Sequence, residues 1–150
     1  MKIRKAILAD LDMIVEMENR IFKNPWANGS IGVELARKQN SLNLIAELDG
    51  KPMGYFFAHL VENEAHILNI ALDVPFQNKG YGKQFLKKIL DEYLQYADVF
   101  LEVKRSNFPA INLYLHFGFE EIDIREEYYS DGEDAVIMVK KVKVHGLVPS

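Results

Sequence analysis

Ile67-Leu68-Asn69-Ile70-Ala71-Leu72-Asp73-Val74-Pro75-Phe76-Gln77-Asn78-Lys79-Gly80-Tyr81-Gly82-Lys83 is the stretch on which the fold turns. Its first half is apolar and reads as a strand. Pro75, Asn78 and Gly80 then punctuate a tight loop. From Gly80 or Tyr81 a long helix opens, with Phe85, Leu86, Ile89, Leu90, Tyr93 and Leu94 on one face. Free N–H groups at a helix start carry partial positive charge and bind phosphate oxygens. Gly80 and Gly82 let the backbone approach a ligand without a Cβ in the way. Lys79 and Lys83 add net charge. Two common phosphate motifs are absent. The segment ends Gly82-Lys83-Gln84, with no hydroxyl for Mg²⁺ as a Walker loop needs, and Phe85 stands where a dinucleotide fingerprint has its third glycine. A lone Gly-x-Gly is also a common helix entry turn.

Working outward, Ile3 to Ala6 reads as a short strand, and Asp10 is placed to cap a helix carrying Leu11, Ile14, Val15, Ile21 and Phe22. Asn24 to Gly29 is a loop. Ser30 is placed to cap a second helix running to about Asn40. Leu42 to Leu48 and Met53 to Val61 are strands joined at Asp49-Gly50, a hairpin signal because both positions tolerate positive φ. Ala65 to Leu72 is a third strand of this region. Val99 to Val103 is a short, nearly continuous apolar strand, the pattern of a buried parallel one. Pro109 suits the first turn of a helix that ends near Gly118. Phe119 to Glu126 and Ala135 to Val144 complete the order β-α-α-β-β-β-α-β-α-β-β. The fold class is α/β with a mixed sheet. One domain is expected over residues 1–144, with residues 145–150 set aside as a patternless tail open to a cloning origin.

A chain of 150 residues that is 49% hydrophobic is long enough to bury a core. No run approaches 18 apolar residues, so no membrane helix is expected. The four apolar residues Ala6 to Ala9 are too few for a signal-peptide core. Cysteine is absent, which excludes disulfides, thiolate zinc sites and a cysteine nucleophile. A cytoplasmic protein, off the membrane, is the default. A net charge of −4 argues against a nucleic-acid partner. Charge is unevenly spread. Lys79, Lys83, Lys87 and Lys88 cluster without an acid, whereas the span from Glu120 to Asp134 holds many acids against Arg125 alone. One region suits an anion and the other a cation, or both are solvated faces.

The larger pattern Gln77-x-x-Gly80-x-Gly82, directly after a strand ending Asn69 to Asp73, resembles the acetyl-CoA loop of the GNAT N-acetyltransferases. The order of elements is similar to that family over essentially residues 1–144. The resemblance implies that Asn78, Lys79, Gly80, Tyr81, Gly82 and Lys83 contact the coenzyme A pyrophosphate. It implies too that the backbone of Ile70, Ala71 and Leu72 pairs with the pantetheine arm like an added strand. A backbone N–H near Ala71–Leu72 would polarise the thioester carbonyl. A second block runs Leu101 to Asn107, Ala110, Leu113-Tyr114, Phe117-Gly118-Phe119, Arg125-x-x-Tyr128-Tyr129 and Glu133 to Met138. With Phe22-x-x-Pro25-Trp26, it resembles the RimI-like branch, bacterial enzymes that acetylate the N-terminal alanine of a small-subunit ribosomal protein. By position the resemblance makes Glu102 a general base, Tyr114 a general acid and Asn107 a coenzyme A contact. Lys104-Arg105 departs from the single Arg followed by a small residue that is more usual there. The short turn Tyr129 to Glu133 departs too.

Each of these residues has a plainer alternative. Glu102 is equally suited to a sheet-edge salt bridge, and Tyr114 to a half-buried core position. Tyr128 and Tyr129 either line a peptide channel or pair as ordinary strand aromatics. Trp26 either forms the opposite wall or staples the first helix. The histidines His59, His66, His116 and His145 show no close ligand spacing, so no metal is expected. Without cysteine there is no acetyl-cysteine intermediate, and transfer is expected directly in a ternary complex. The acceptor expected from the resemblance is a protein or peptide N-terminus, and the enzyme a monomer or weak dimer. A small-molecule amine or lysine acetyltransferase, and a non-catalytic coenzyme A-binding module, remain the rivals.

Overall fold

The structure, a computed structural model, describes residues 1–142. Residues 143 and 144 of the expected last strand, and the expected tail 145–150, lie outside the described residues. The elements are β1 (Lys2–Lys5), α1 (Leu11–Ile21), α2 (Asn28–Ala36), β2 (Ser41–Leu48), β3 (Lys51–Val61), β4 (Glu64–Leu72), α3 (Tyr81–Glu92), β5 (Asp98–Lys104), α4 (Phe108–His116), β6 (Glu120–Arg125) and β7 (Ala135–Lys140), with 3-10 turns at Leu8–Asp10 and Val74–Phe76. One seven-stranded sheet runs in the order β1-β2-β3-β4-β5-β7-β6. All pairs are antiparallel except β4 with β5. The mixed α/β reading therefore holds. Asp49 and Gly50 both take positive φ in the β2–β3 turn, and Gly118 ends α4 at a φ of 90°.

Two layers of core follow from strand alternation. Leu44, Phe56, Ala65, Val99, Leu101 and Val103 pack with α3 residues such as Phe85 and Ile89 on one face. Ile45, Tyr55, Phe57 and Ala71 pack with Ile14, Met17 and Ile31 of α1 and α2 on the other. That second layer covers β2, β3 and β4. Glu102 and Lys104 alternate with Leu101 and Val103, so they project from the same face as α1 and α2, over the uncovered β5–β7 part.

Three local expectations are corrected. Asp10 stands at the N-cap of α1 as expected but makes no side-chain cap bond, because its carboxylate receives the Ile7 N–H at 2.8 Å and a fork from Arg4 at 2.9 and 2.8 Å. A bidentate guanidinium outcompetes a cap. Ser30 lies inside α2, whose N-cap is Ala27 and which ends at Ala36, short of Asn40. The strand from Ala135 closes at Lys140, and Val142 then donates its N–H to Asp98 at 2.8 Å.

Candidate active site

The β4–β5 pairing is the feature from which the site is built. The two strands pair only at Glu64–Asp98, Ala65–Val99 and His66–Phe100, although β4 continues to Leu72 and β5 to Lys104. Beyond that point they part. On the other side of β4, Phe57 pairs with Asn69 and Ala58 with Ile67, which leaves Leu68 as an extra residue. Such a bulge bends and twists its strand. Gly54 on β3 permits the bend, since a Cβ there would stand 2.3 Å from the Ala71 carbonyl oxygen. Ile70, Ala71 and Leu72 thus pair with Phe56, Tyr55 and Gly54 along one edge, and present an unpaired edge toward β5.

The loop after β4 is held from both ends. Gln77 Nε2 donates to the Leu72 carbonyl at 2.9 Å. Asp73 caps the 3-10 turn through Val74 N–H at 2.9 Å and takes a fork from Arg20 of α1 at 3.1 and 2.8 Å. Arg20 holds the Asp73 carboxyl below its usual range, the Val74 N–H adding to this and partial burial opposing it. Asn78 and Gly80 take φ of 60° and 85°, turning the chain into α3. Among the described residues, no protein acceptor meets the amides of residues 78 to 83, the first being Gln84 N–H to Gly80 O. Lys87 and Lys88 pair along α3 with Asp91 and Glu92, whereas no acid lies within ion-pair distance of Lys79 or Lys83 among the described residues. Unsatisfied amides, a helix start and two unpaired ammonium groups fit a diphosphate, and the unpaired β4 edge fits an amide-bearing arm. The residues present therefore fit coenzyme A.

Glu102 lies on β5 opposite Ile137, with 34% of its side chain exposed. It does enter a salt bridge, with Arg125 Nη1 at 3.3 Å from its Oε1. Tyr114 on α4 is 8% exposed and packs on Phe119 at 5.6 Å, so the core alternative describes its ring. Its hydroxyl has no protein partner. Asn43 Oδ1 is the one sealed, unpartnered side-chain polar atom among the described residues, so the Tyr114 oxygen is open to solvent. Burial pushes this phenol up to about 12. Asn107 caps α4 with its Oδ1 on Ala110 N–H at 3.3 Å, which leaves its side-chain NH₂ for any ligand.

Tyr128 and Tyr129 are not strand aromatics. They sit in the β6–β7 turn, edge to face at 5.2 Å, with Arg125 over Tyr128 and Lys104 Nζ over Tyr129 at 5.3 Å. Burial, then the nearby Glu102 charge, raises the Tyr129 phenol to about 12. Lys104 also reaches Asp131 at 2.6 Å, and Arg105 N–H donates to the Asp134 carbonyl at 3.1 Å. The unusual Lys104-Arg105 pair and the acidic turn are thus two halves of one staple. Trp26 packs on Phe57 at 5.6 Å, and its main-chain N–H donates to Glu18 Oε2 at 2.7 Å. It closes α1, as the staple alternative had it. Glu18 is 3% exposed and also accepts from the Tyr55 hydroxyl and from Asn69 Nδ2, joining α1 to β3 and β4. Reading the sequence missed Glu18 and Arg125. Tyr55, Asn69 and Glu102, the partners that place them, lie on other strands far along the chain, and the sole local signal was that Arg125 is the one cation in an acidic run.

Unsatisfied amides after β4, and a carboxylate on the strand that parts from it, suit an acyltransferase of the coenzyme A-dependent class. The profile of the Acetyltransferase (GNAT) family matches residues 11–119. The chain belongs to that family. It is 34% identical to the [ribosomal protein bS18]-alanine N-acetyltransferase of Escherichia coli K12 over 90% of this chain and 93% of that protein. It is 33% identical to an N-alpha-acetyltransferase of Sulfurisphaera tokodaii over 91% and 90% of the two chains. The solved structure of the ribosomal-protein-S18-alanine N-acetyltransferase from Escherichia coli matches with a TM-score of 0.90 at 32% identity, covering 99% of this chain and 98% of that one.

Proposed function

We propose that this protein transfers the acetyl group of acetyl-CoA to the α-amine of a protein N-terminus, an N-terminal alanine of a ribosomal protein being the first acceptor to test. The likeness to the Escherichia coli enzyme supports the acceptor class. The observation that carries the chemistry is Glu102, half-open to solvent on the face where β4 and β5 part. In this proposal residues 78 to 83 hold the diphosphate through main-chain amides, with Lys79 and Lys83 adding charge. Ile70, Ala71 and Leu72 hold the pantetheine arm, and an N–H near Ala71–Leu72 donates to the thioester oxygen. Asn107 offers its free NH₂ to the same ligand.

Bound acetyl-CoA supplies an activated acyl carbon and a thiolate leaving group. One C–N bond forms, one C–S bond breaks, and one proton passes from the amine to the thiol in net balance. A peptide α-amine has a pKa of about 8, so a fraction is neutral at pH 7, and Glu102 removes the proton released on attack, directly or through one water. Tyr114 keeps its proton throughout the neutral range. A phenol near 12 gives up that proton to a thiolate of pKa about 8.5 only uphill. Its contribution is a hydrogen bond to the sulfur as charge gathers there, and solvent completes the protonation.

The test is thiol release with acetyl-CoA across peptides beginning Ala, Ser and Gly, free lysine, and polyamines, run beside Glu102→Gln. Turnover confined to peptide N-termini, lowered about 100-fold or more by the substitution, is the expected result. Turnover on polyamines or lysine alone ends the N-terminal reading. Absence of turnover on every acceptor, with coenzyme A still bound, leaves a binding module.

A further inference from the structure

Arg125 is the one cation in the acidic span from Glu120 to Asp134, and no step of acetyl transfer uses it. Its placement gives it a task. It ends β6 opposite Ala135 of β7, which in turn lies opposite Lys104 of β5. From that row its side chain reaches to the neighbouring row and sets Nη1 3.3 Å from Glu102 Oε1. The guanidinium also lies over the Tyr128 ring, 5.5 Å from the centroid, so it is steadied from a second side. Lys104, the other cation of this face, is engaged with Asp131 and Tyr129. Among the described residues no other cation pairs with the Glu102 carboxylate, and Oε1 is the oxygen nearest to Arg125.

We propose that Arg125 is a positioning residue for the base. It anchors Glu102 by one oxygen and leaves Oε2 facing the incoming amine. The inference rests on Glu102 being the base. A glutamate with a third of its side chain in solvent samples several rotamers, and a one-point anchor removes most of them while keeping an oxygen free. Arginine suits this place because it stays protonated, so it never competes with the carboxylate for the proton taken from the amine. A hydrogen-bonded fork to both oxygens would block the base, and the pair is instead a looser contact of 3.3 Å at Oε1.

The experiment measures kcat and KM of the full chain with acetyl-CoA and an Ala-starting peptide for Arg125→Gln, Arg125→Lys, Glu102→Gln and the double variant Glu102→Gln/Arg125→Gln. Arg125→Gln is expected to lower kcat about tenfold while both KM values stay within about twofold. Arg125→Lys recovers most of the loss, and the double variant equals Glu102→Gln alone, because there is no longer a base to place. A raised peptide KM at native kcat, or losses that multiply in the double variant, overturns the proposal and makes Arg125 an acceptor contact or a structural residue. Native activity in Glu102→Gln removes the base assignment itself. Loss in Glu102→Gln with native activity in Arg125→Gln removes the positioning role alone. The Arg125 side chain is 55% exposed, and melting curves confirm folding. If Arg125→Gln melts early, the charge-preserving Arg125→Lys decides between the outcomes.

Discussion

At the residue scale, one side chain often answers to two demands, and the environment decides which one prevails. Tyr114 is a core residue by its ring and a solvent-facing donor by its oxygen. Because burial pushes its phenol up to about 12 while a thiol leaves easily, the role proposed for it is a hydrogen bond more than a proton transfer. Tyr114→Phe is accordingly expected to keep the fold and lower kcat only about tenfold, at or below the small end of acid–base effects. Steady-state kinetics beside a melting curve check this, and a loss as large as that of Glu102→Gln would restore full proton transfer to Tyr114. Glu102 shows the same doubling, since a salt bridge with Arg125 and a third of the side chain in solvent coexist on one residue. The alternatives for Glu102 and Tyr114 could not be separated by spacing. Burial of a ring and direction of an oxygen depend on neighbours from other elements.

At the element scale, β4 is the part that makes a site out of a sheet. Its bulge at Leu68 and its close passage over Gly54 let it leave β5. Gly54→Ala drives a methyl into the Ala71 carbonyl. It is expected to cost about 1–3 kcal/mol, the usual range for overpacking, and to weaken coenzyme A binding because the end of β4 moves. Urea melts and calorimetry measure both effects, and an unchanged affinity would separate the site from the bend. Arg20 and Asp73 fix that same end to α1. The Asp73 carboxyl is held below its ordinary value of 3.8, so its contribution is complete above that value and disappears as the pH falls through the lowered one. Asp73→Asn is expected to lower the melting temperature at pH 7, with the gap to the native chain closing below pH 3.8. A gap that persists in acid would mean that something other than the Asp73 charge is lost, since Asn keeps an acceptor for the Val74 N–H. Asp10, held down by Arg4, has the same sign and softens at the same acid edge.

At the scale of the whole molecule, helices cover both faces of the sheet on the β2–β4 side, while the face bearing Glu102 stays uncovered over β5–β7. The amides of residues 78 to 83 have no protein acceptor in the folded chain, and in the proposed function they hold the diphosphate. Coenzyme A is therefore expected to stabilise the fold by about 2.7 kcal/mol at a hundredfold excess over its dissociation constant. Differential scanning calorimetry reads the shift, and its absence at saturating ligand would sink the diphosphate cradle. No helix among the described residues is long and apolar enough to cross a membrane.

The strand–loop–helix run from Ile67 to Leu94 was legible because its signals are local: an apolar strand, two glycines at a turn, and apolar residues at helical spacing. The same holds for the Asp49-Gly50 hairpin and for the end of α4 at Gly118, where only a few φ/ψ combinations close the turn. The capping bond of Asp10 and the cap at Ser30 were not legible, because a stronger partner or an earlier helix start took precedence over a local preference. Sequence by itself determined the order of elements, the family and the strand–loop–helix turn through Gly80, all of which depend on neighbours within one turn or one strand. Tertiary structure alone decided that β4 parts from β5, that Lys104 staples the acidic turn, and that Arg125 stands on Glu102. Those contacts join residues tens of positions apart, and opposite charges that far apart carry no spacing signal until strand register brings them within a few ångströms.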